Sequence, residues 1–280
     1  MALEEQARVP LSETAVDEAR TVGDLRRLTG QAAETGVAPE PFSFPSWSRW
    51  RLIRFVRNVS QRTWILPLAS VFFRLRVEGR ERLDGLSGPL IFASNHQSHF
   101  DTPVLLKALP RRWRRAIAVA MAKEYFDAHF FPEHHTARER LMTSAIYYLV
   151  TFFFNAFPLP QKEPGARRTL RYMSELVTDG FSILIFPEGH RTERGEINTF
   201  QPGVGILGSK LRLPVVPVRL EGVERVLHHT WRWPRRGDVT FGAPLMLEDY
   251  VALARRVQEA VVALQPLPVD RSPRASDAAA

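Results

Sequence analysis

Two short runs of unbroken apolar residues constrain this chain more than any other feature: PLIFASN over residues 89–95 and FSILIFPEG over 181–189. Each apolar stretch is too short for a buried helix and lacks polar alternation, which is the pattern of a buried strand. Both end abruptly in residues capable of chemistry. LPVVPVRLEG (213–222) reads as a third strand and DVTFG (238–242) as a fourth. Helical patterns cover TPVLLKAL (102–109), Ala166–Thr178 and Leu247–Leu264. Strands alternating with helices predict an α/β fold. Its single domain holds a mostly parallel twisted sheet flanked by helices, with the active site at the strand carboxyl ends.

The flanks divide the chain further. Residues 1–40 are polar and read as a flexible arm, PEPFSFP (39–45) breaks any helix, and residues 266–280 read as a disordered tail. Residues 41–76 form a basic, aromatic, amphipathic helical region, which leaves 77–265 for the domain. The arm carries 8 acidic and 4 basic residues, so a whole-chain charge of +8 leaves +12 on the other 240 residues. A body so basic suits nucleic acid, an anionic membrane or a polyanionic substrate. Zinc-finger spacing and RNA-binding aromatic signatures are absent, so nucleic acid is not expected as a partner. With no cysteine, thiolate nucleophiles, disulfides and cysteine metal sites are excluded.

Membrane contact has its own signature. Trp47, Trp50, Ile53, Phe55 and Trp64 interleave with Arg49, Arg51, Arg54, Arg57 and Arg62, and ILPLASVFF (65–73) follows. Tryptophan at headgroup depth with arginine reaching phosphate is the chemistry of an interfacial helix. The opening MALEEQARVP lacks the basic start and apolar run of a signal peptide. Leu141 to Pro160 carries no charge, but Thr143, Ser144, Thr151, Asn155 and two prolines dilute it; it reads as a buried helix running into a strand. A peripheral or monotopic protein on the cytoplasmic face of a membrane is the expectation.

The first candidate constellation is Asn95-His96-Gln97-Ser98-His99-Phe100-Asp101, directly after the first strand. On one continuous helix, residues five apart diverge by roughly 140°. In a strand–turn–helix they can meet, with Asp101 opening a helix at Thr102-Pro103. A carboxylate beside an imidazole fixes its tautomer and stabilises the imidazolium, which makes a general base. From the residues alone the plainer reading, a turn histidine and a capping aspartate, stays open. Ser98 lacks the Gly-x-Ser-x-Gly setting of a serine hydrolase.

The second constellation, Phe186-Pro187-Glu188-Gly189-His190-Arg191-Thr192, follows the second strand. Gly189 permits a tight turn, Arg191 can grip a phosphate with its fork, and Glu188 can accept hydroxyl donors or position Arg191.

In this order the two segments resemble the motifs of the glycerolipid acyltransferase family. Asn-His-x-Ser-x-x-Asp is matched by Asn95, His96, Ser98 and Asp101. Phe-Pro-Glu-Gly-x-Arg-Ser is matched by Phe186, Pro187, Glu188, Gly189 and Arg191, with Thr192 in place of serine. Val215-Val216-Pro217-Val218 is similar to that family's apolar fourth motif. The resemblance implies that His96 deprotonates an acceptor hydroxyl, oriented by Asp101, and that the hydroxyl attacks an acyl-CoA or acyl-carrier-protein thioester. It further implies substrate binding by Asn95, Ser98, Glu188, Gly189, Arg191 and Thr192, with no metal and no cofactor beyond the co-substrate. Lysophosphatidate, among membrane lipids, is the acceptor it points to first. Two departures bear on that acceptor: Gln161 follows Phe157-Pro158-Leu159-Pro160 where the family has arginine, leaving Lys162, Arg167 or Arg168 as substitutes, and His190 stands for threonine.

Other signals carry less. Gly203, Gly205 and Gly208 spell a dinucleotide fingerprint, but no strand precedes it; small residues in a closely packed helix explain it better. His134-His135 and His228-His229 lack a carboxylate cluster for metal. Competing functions are the same transfer to a glycolipid or lyso-amino-acid lipid, a thioesterase or lipase, and a catalytically silent membrane-binding module.

Overall fold

The computed structural model describes residues 42–160, 166–192, 196–223, 234–246 and 249–264. The arm, the tail, Gln161, Lys162, the Arg167 side chain and the His228-His229 pair lie outside the described residues.

Seven strands make one sheet: β1 Phe73–Glu78, β2 Ile91–Ser94, β3 Ile117–Ala122, β4 Ala156–Leu159, β5 Ser182–Ile185, β6 Val215–Glu221 and β7 Arg235–Phe241. Their spatial order is β1-β7-β6-β2-β5-β3-β4. The five strands from β6 to β4 run parallel, whereas β7 is antiparallel to β6 and β1 is parallel to β7. The longer helices are α1 Arg51–Ser60, α2 Leu66–Phe72, α3 Asp101–Ala108, α4 Ala137–Phe154, α5 Ala166–Thr178, α6 Gly203–Leu211 and α7 Tyr250–Ala263.

The connections locate the site. From β2 the chain crosses past β5 to β3, and from β5 it crosses the other way to β6. Right-handed crossovers in opposite directions place their helices on opposite faces. Accordingly Val104, Leu105 and Leu106 of α3 join one core cluster, and Val204 and Leu207 of α6 join the other. The carboxyl ends of β2 and β5 therefore flank a topological switch point, where open α/β sheets form their crevice.

Helix α4 runs straight into β4, as its sequence predicts, but it is not buried. Leu141, Met142, Tyr148 and Leu149 are all more than half exposed. A capping box starts it: Thr136 Oγ1 accepts from the Glu139 N–H at 3.3 Å and Glu139 accepts from the Thr136 N–H at 2.9 Å. Its last carbonyls are met from outside. Arg57 donates to the carbonyls of Phe152 at 2.6 Å and Thr151 at 3.3 Å, and Gln61 donates to Phe153 at 2.7 Å. Arg57 is thus not a solvent-facing phosphate ligand; it is a buried helix cap, and burial with the nearby Arg54 pulls its guanidinium down to about 10. Arg49 likewise pairs with Asp179 and Glu175.

Two strands escaped the sequence. β1 straddles the expected boundary at residue 76, so the helical region and the domain share one sheet edge. β3, IAVAMA, lies between β5 and the edge strand β4 yet is half alanine. The glycine fingerprint lies in α6, as a packing surface against α7 and β6. A Cβ on Gly205 would fall 1.8 Å from the Tyr250 carbonyl oxygen, and one on Gly208 within 2.8 Å of Leu253 and Val215 side chains.

Candidate active site

His96 sits in the loop after β2, and Asp101 is the first residue of α3, so the strand–turn–helix brings the pair together. His96 Nδ1 lies 2.7 Å from Asp101 Oδ2, and the same oxygen accepts the N–H groups of Gln97 at 2.6 Å and Ser98 at 2.9 Å. A carboxylate only accepts, so Nδ1 carries the hydrogen, and in the neutral imidazole the lone pair is on Nε2. Asp101 is wholly buried, while His96 retains an exposed edge. The Phe186 ring stacks on the imidazole, centroids 4.2 Å apart, and fixes its plane.

The remaining motif residues mostly hold this loop. Asn95 forms a two-point bond with the Leu220 backbone in β6, donating at 3.0 Å and accepting at 2.7 Å. Glu188 accepts the His96 N–H at 2.8 Å with one oxygen and the Asn198 N–H at 2.9 Å with the other. Thr192 closes the bracket from its backbone N–H at 3.0 Å and its hydroxyl at 3.2 Å, both donating to the His96 carbonyl. Ser98 Oγ accepts from the Phe100 N–H at 3.3 Å. Asn95 and Glu188, expected to bind substrate, direct polar atoms at backbone and bolt the β2 loop to β6 and to the β5 loop. Burial raises the Glu188 carboxyl above its ordinary value, against the two N–H donors that favour its charge.

Gly189 and Arg191 do face open space. With His96, His99 and His190 they form the polar end of a cavity of about 370 Å³. Gly189 adopts φ 75°, a left-handed turn that glycine takes without strain. Arg191 contacts His99 Nε2, and burial, then Arg191 and His96, hold His99 below the usual imidazole range. Asn198 bridges onward to His190 at 3.0 Å.

The rest of the cavity is mainly apolar, and its walls were not identified from the sequence. β3 contributes Val119 and Met121, β4 contributes Ala156 and Leu159, and α4 contributes Ile146, Val150 and Phe154. The last three recur at intervals of four, one face of a helix, a signal present in the sequence. The arrangement is a base at the junction of a cationic mouth and an apolar sleeve, within the size range of small-molecule sites. Among the described residues no cluster of histidine and acidic side chains is arranged to hold a metal ion.

A family model described as Acyltransferase matches residues 74–221, from β1 through β6. The chain is 28% identical over 172 residues to human 1-acyl-sn-glycerol-3-phosphate acyltransferase beta, covering 59% of this chain and 53% of that protein. It is 24% identical over 157 residues to the chloroplastic 1-acyl-sn-glycerol-3-phosphate acyltransferase BAT2 of Brassica napus, covering 56% and 40%. It therefore spans about half the length, or less, of these relatives. In fold it is similar to the solved 1-acyl-sn-glycerophosphate acyltransferase of Thermotoga maritima, with a TM-score of 0.52, 21% identity and coverage of 76% and 82%. A matched segment that contains both loops and all five parallel strands identifies the chain as a member of the acyltransferase family.

Proposed function

We propose that this acyltransferase moves a fatty acyl group from an acyl-CoA or acyl-carrier-protein thioester to the hydroxyl of a lysophospholipid, with lysophosphatidate giving phosphatidate. The observation that carries this reading is His96, tied through Nδ1 to Asp101 and lining a cavity whose other end is apolar. His96 Nε2 takes the acceptor's hydroxyl proton as its oxygen attacks the thioester carbonyl. The tetrahedral adduct expels the thiolate, which receives that proton from the imidazolium, so no acyl-enzyme forms. Asp101 stabilises the imidazolium between the two transfers. The sleeve of Val119, Val150, Phe154 and Leu159 suits an acyl chain, and Arg191 beside two histidines suits a phosphate.

Peripheral association with a membrane, on its cytoplasmic face, accompanies this reading. No helix among the described residues is long and apolar enough to cross a membrane. α4 lines the cavity with Ile146, Val150 and Phe154 and exposes Leu141 and Tyr148 on the other side, while Trp50, Leu52, Phe55 and Trp64 project from the layer beside it. One helix thus separates the acyl sleeve from a surface suited to lipid.

Purified protein supplied with one acyl-CoA and a panel of acceptors tests the assignment. Turnover should be fastest with lysophosphatidate. Turnover confined to an acceptor without phosphate would sink it, and acyl release without acceptor would indicate a thioesterase.

A further inference from the structure

A second cationic feature lies away from the cavity. The single helical turn Arg111–Arg115 carries four arginines around the buried Trp113, with Arg112 packed over the indole at 4.9 Å. Arg80 and Arg62 belong to the same cluster, since both bear electrostatically on Arg114 together with Arg111 and Arg115. Three of these side chains have structural duties: Arg80 donates to the Ala108 carbonyl, Arg112 to Leu83 and Arg114 to Leu106. Arg62, Arg111 and Arg115 are exposed. Among the described residues none of the six forms an ion pair with an acid. With no counter-charge paired to them among the described residues, six like charges repel one another, and an external anion relieves that repulsion.

We propose that this arginine cluster is the docking patch for anionic phospholipid headgroups, at the rim of the apolar face that α1, α2 and α4 present. The proposal rests on the membrane-surface reading above and adds a lipid selectivity to it. Charge complementarity identifies the partner class, because guanidinium forks match phosphate oxygens. Position identifies the source. Arg62 lies two residues from Trp64, which is 57% exposed and packs edge-on against Phe153 of α4, so the cluster continues into the aromatic surface. Tryptophan beside arginine is the composition of a bilayer interface. An acidic carrier protein fits less well. It must present its thioester at His96, and Asp101 begins α3 whereas the arginine turn follows its other end, about 12 Å along the axis.

The test uses the full chain and the triple variant R62Q/R111Q/R115Q, whose side chains are exposed and make no hydrogen bond to backbone among the described residues, with thermal melting to show that the fold is kept. Binding is measured by flotation on phosphatidylcholine vesicles and on vesicles with a third of that lipid replaced by phosphatidylglycerol. A basic residue near an anionic leaflet contributes on the order of fivefold in affinity. The triple variant should therefore lose on the order of a hundredfold on anionic vesicles at low salt. Its binding to phosphatidylcholine and its turnover in neutral detergent micelles should be unchanged. Parental affinity of the variant for anionic vesicles would overturn the proposal. Loss of turnover with a carrier-protein thioester, with vesicle binding intact, would reassign the patch to that protein. If the parent binds neither vesicle, the membrane reading itself fails and the patch with it, a result distinct from the other two.

Discussion

His96 lines the cavity with Nδ1 bound to Asp101, the partner that fixes which nitrogen carries the hydrogen. Asp101→Asn keeps the shape but lets the side chain flip and removes the charge facing the imidazolium. In the proposed reaction kcat should fall by about 10³- to 10⁴-fold with KM little changed, measured as initial rates with purified variant. His99 is the second informative residue. Its imidazole is held below 6.5 by burial first and by Arg191 next, so the unfolded chain takes up the proton before the folded one does. The stability linked to this group is present above pH 6.5 and is lost as pH falls through the lowered folded value. His129, lowered by burial, acts in the same direction. Melting temperature should therefore drop from pH 7 towards 5, and His99→Gln should make that drop shallower. An unchanged slope would show that His99 is not held neutral by this contact.

At the scale of elements, the joints between helices carry the stability that the site relies on. Arg57 satisfies two carbonyls at the end of α4 and the Ser48 carbonyl at 2.9 Å. Arg57→Met would leave them buried without donors and lower unfolding free energy by roughly 2–4 kcal/mol in chemical denaturation. Gly205→Ala should be at least as damaging, by about 3 kcal/mol or more, because its methyl meets the Tyr250 backbone and has no side chain to displace. Gly203→Ala, with nothing within 4 Å of the added carbon, should be neutral or slightly stabilising and serves as the control. The same joints show where sequence is legible. β2, β5 and β6 announce themselves because burial on both faces demands unbroken apolar residues. β3 hides because alanine favours helix as readily as strand, and its role follows from neighbours that its own residues do not specify. β1, FRLRVE, alternates arginine with apolar residues as an edge strand does, and merged with the arginine-rich helices before it.

For the molecule as a whole, the sheet order turns two loops 92 residues apart in sequence, His96 and Glu188, into one structure. The spacing of His96 and Asp101 was readable because both lie in one local turn. The roles of Asn95 and Glu188 were not, because each depends on a backbone group supplied by a distant strand or loop, Leu220 for one and Asn198 for the other. The apolar sleeve was hidden for the same reason, since its walls come from β3, β4 and α4 together. The central claim is that His96 is the base for acyl transfer at the mouth of that sleeve. Acyl transfer from radiolabelled acyl-CoA to lysophosphatidate by His96→Ala, with vesicle binding and melting temperature followed in parallel, tests it most directly. The account predicts loss of transfer by 10³-fold or more in order of magnitude, with binding and melting unchanged. Transfer at the parental rate by a folded, membrane-bound His96→Ala protein would contradict it.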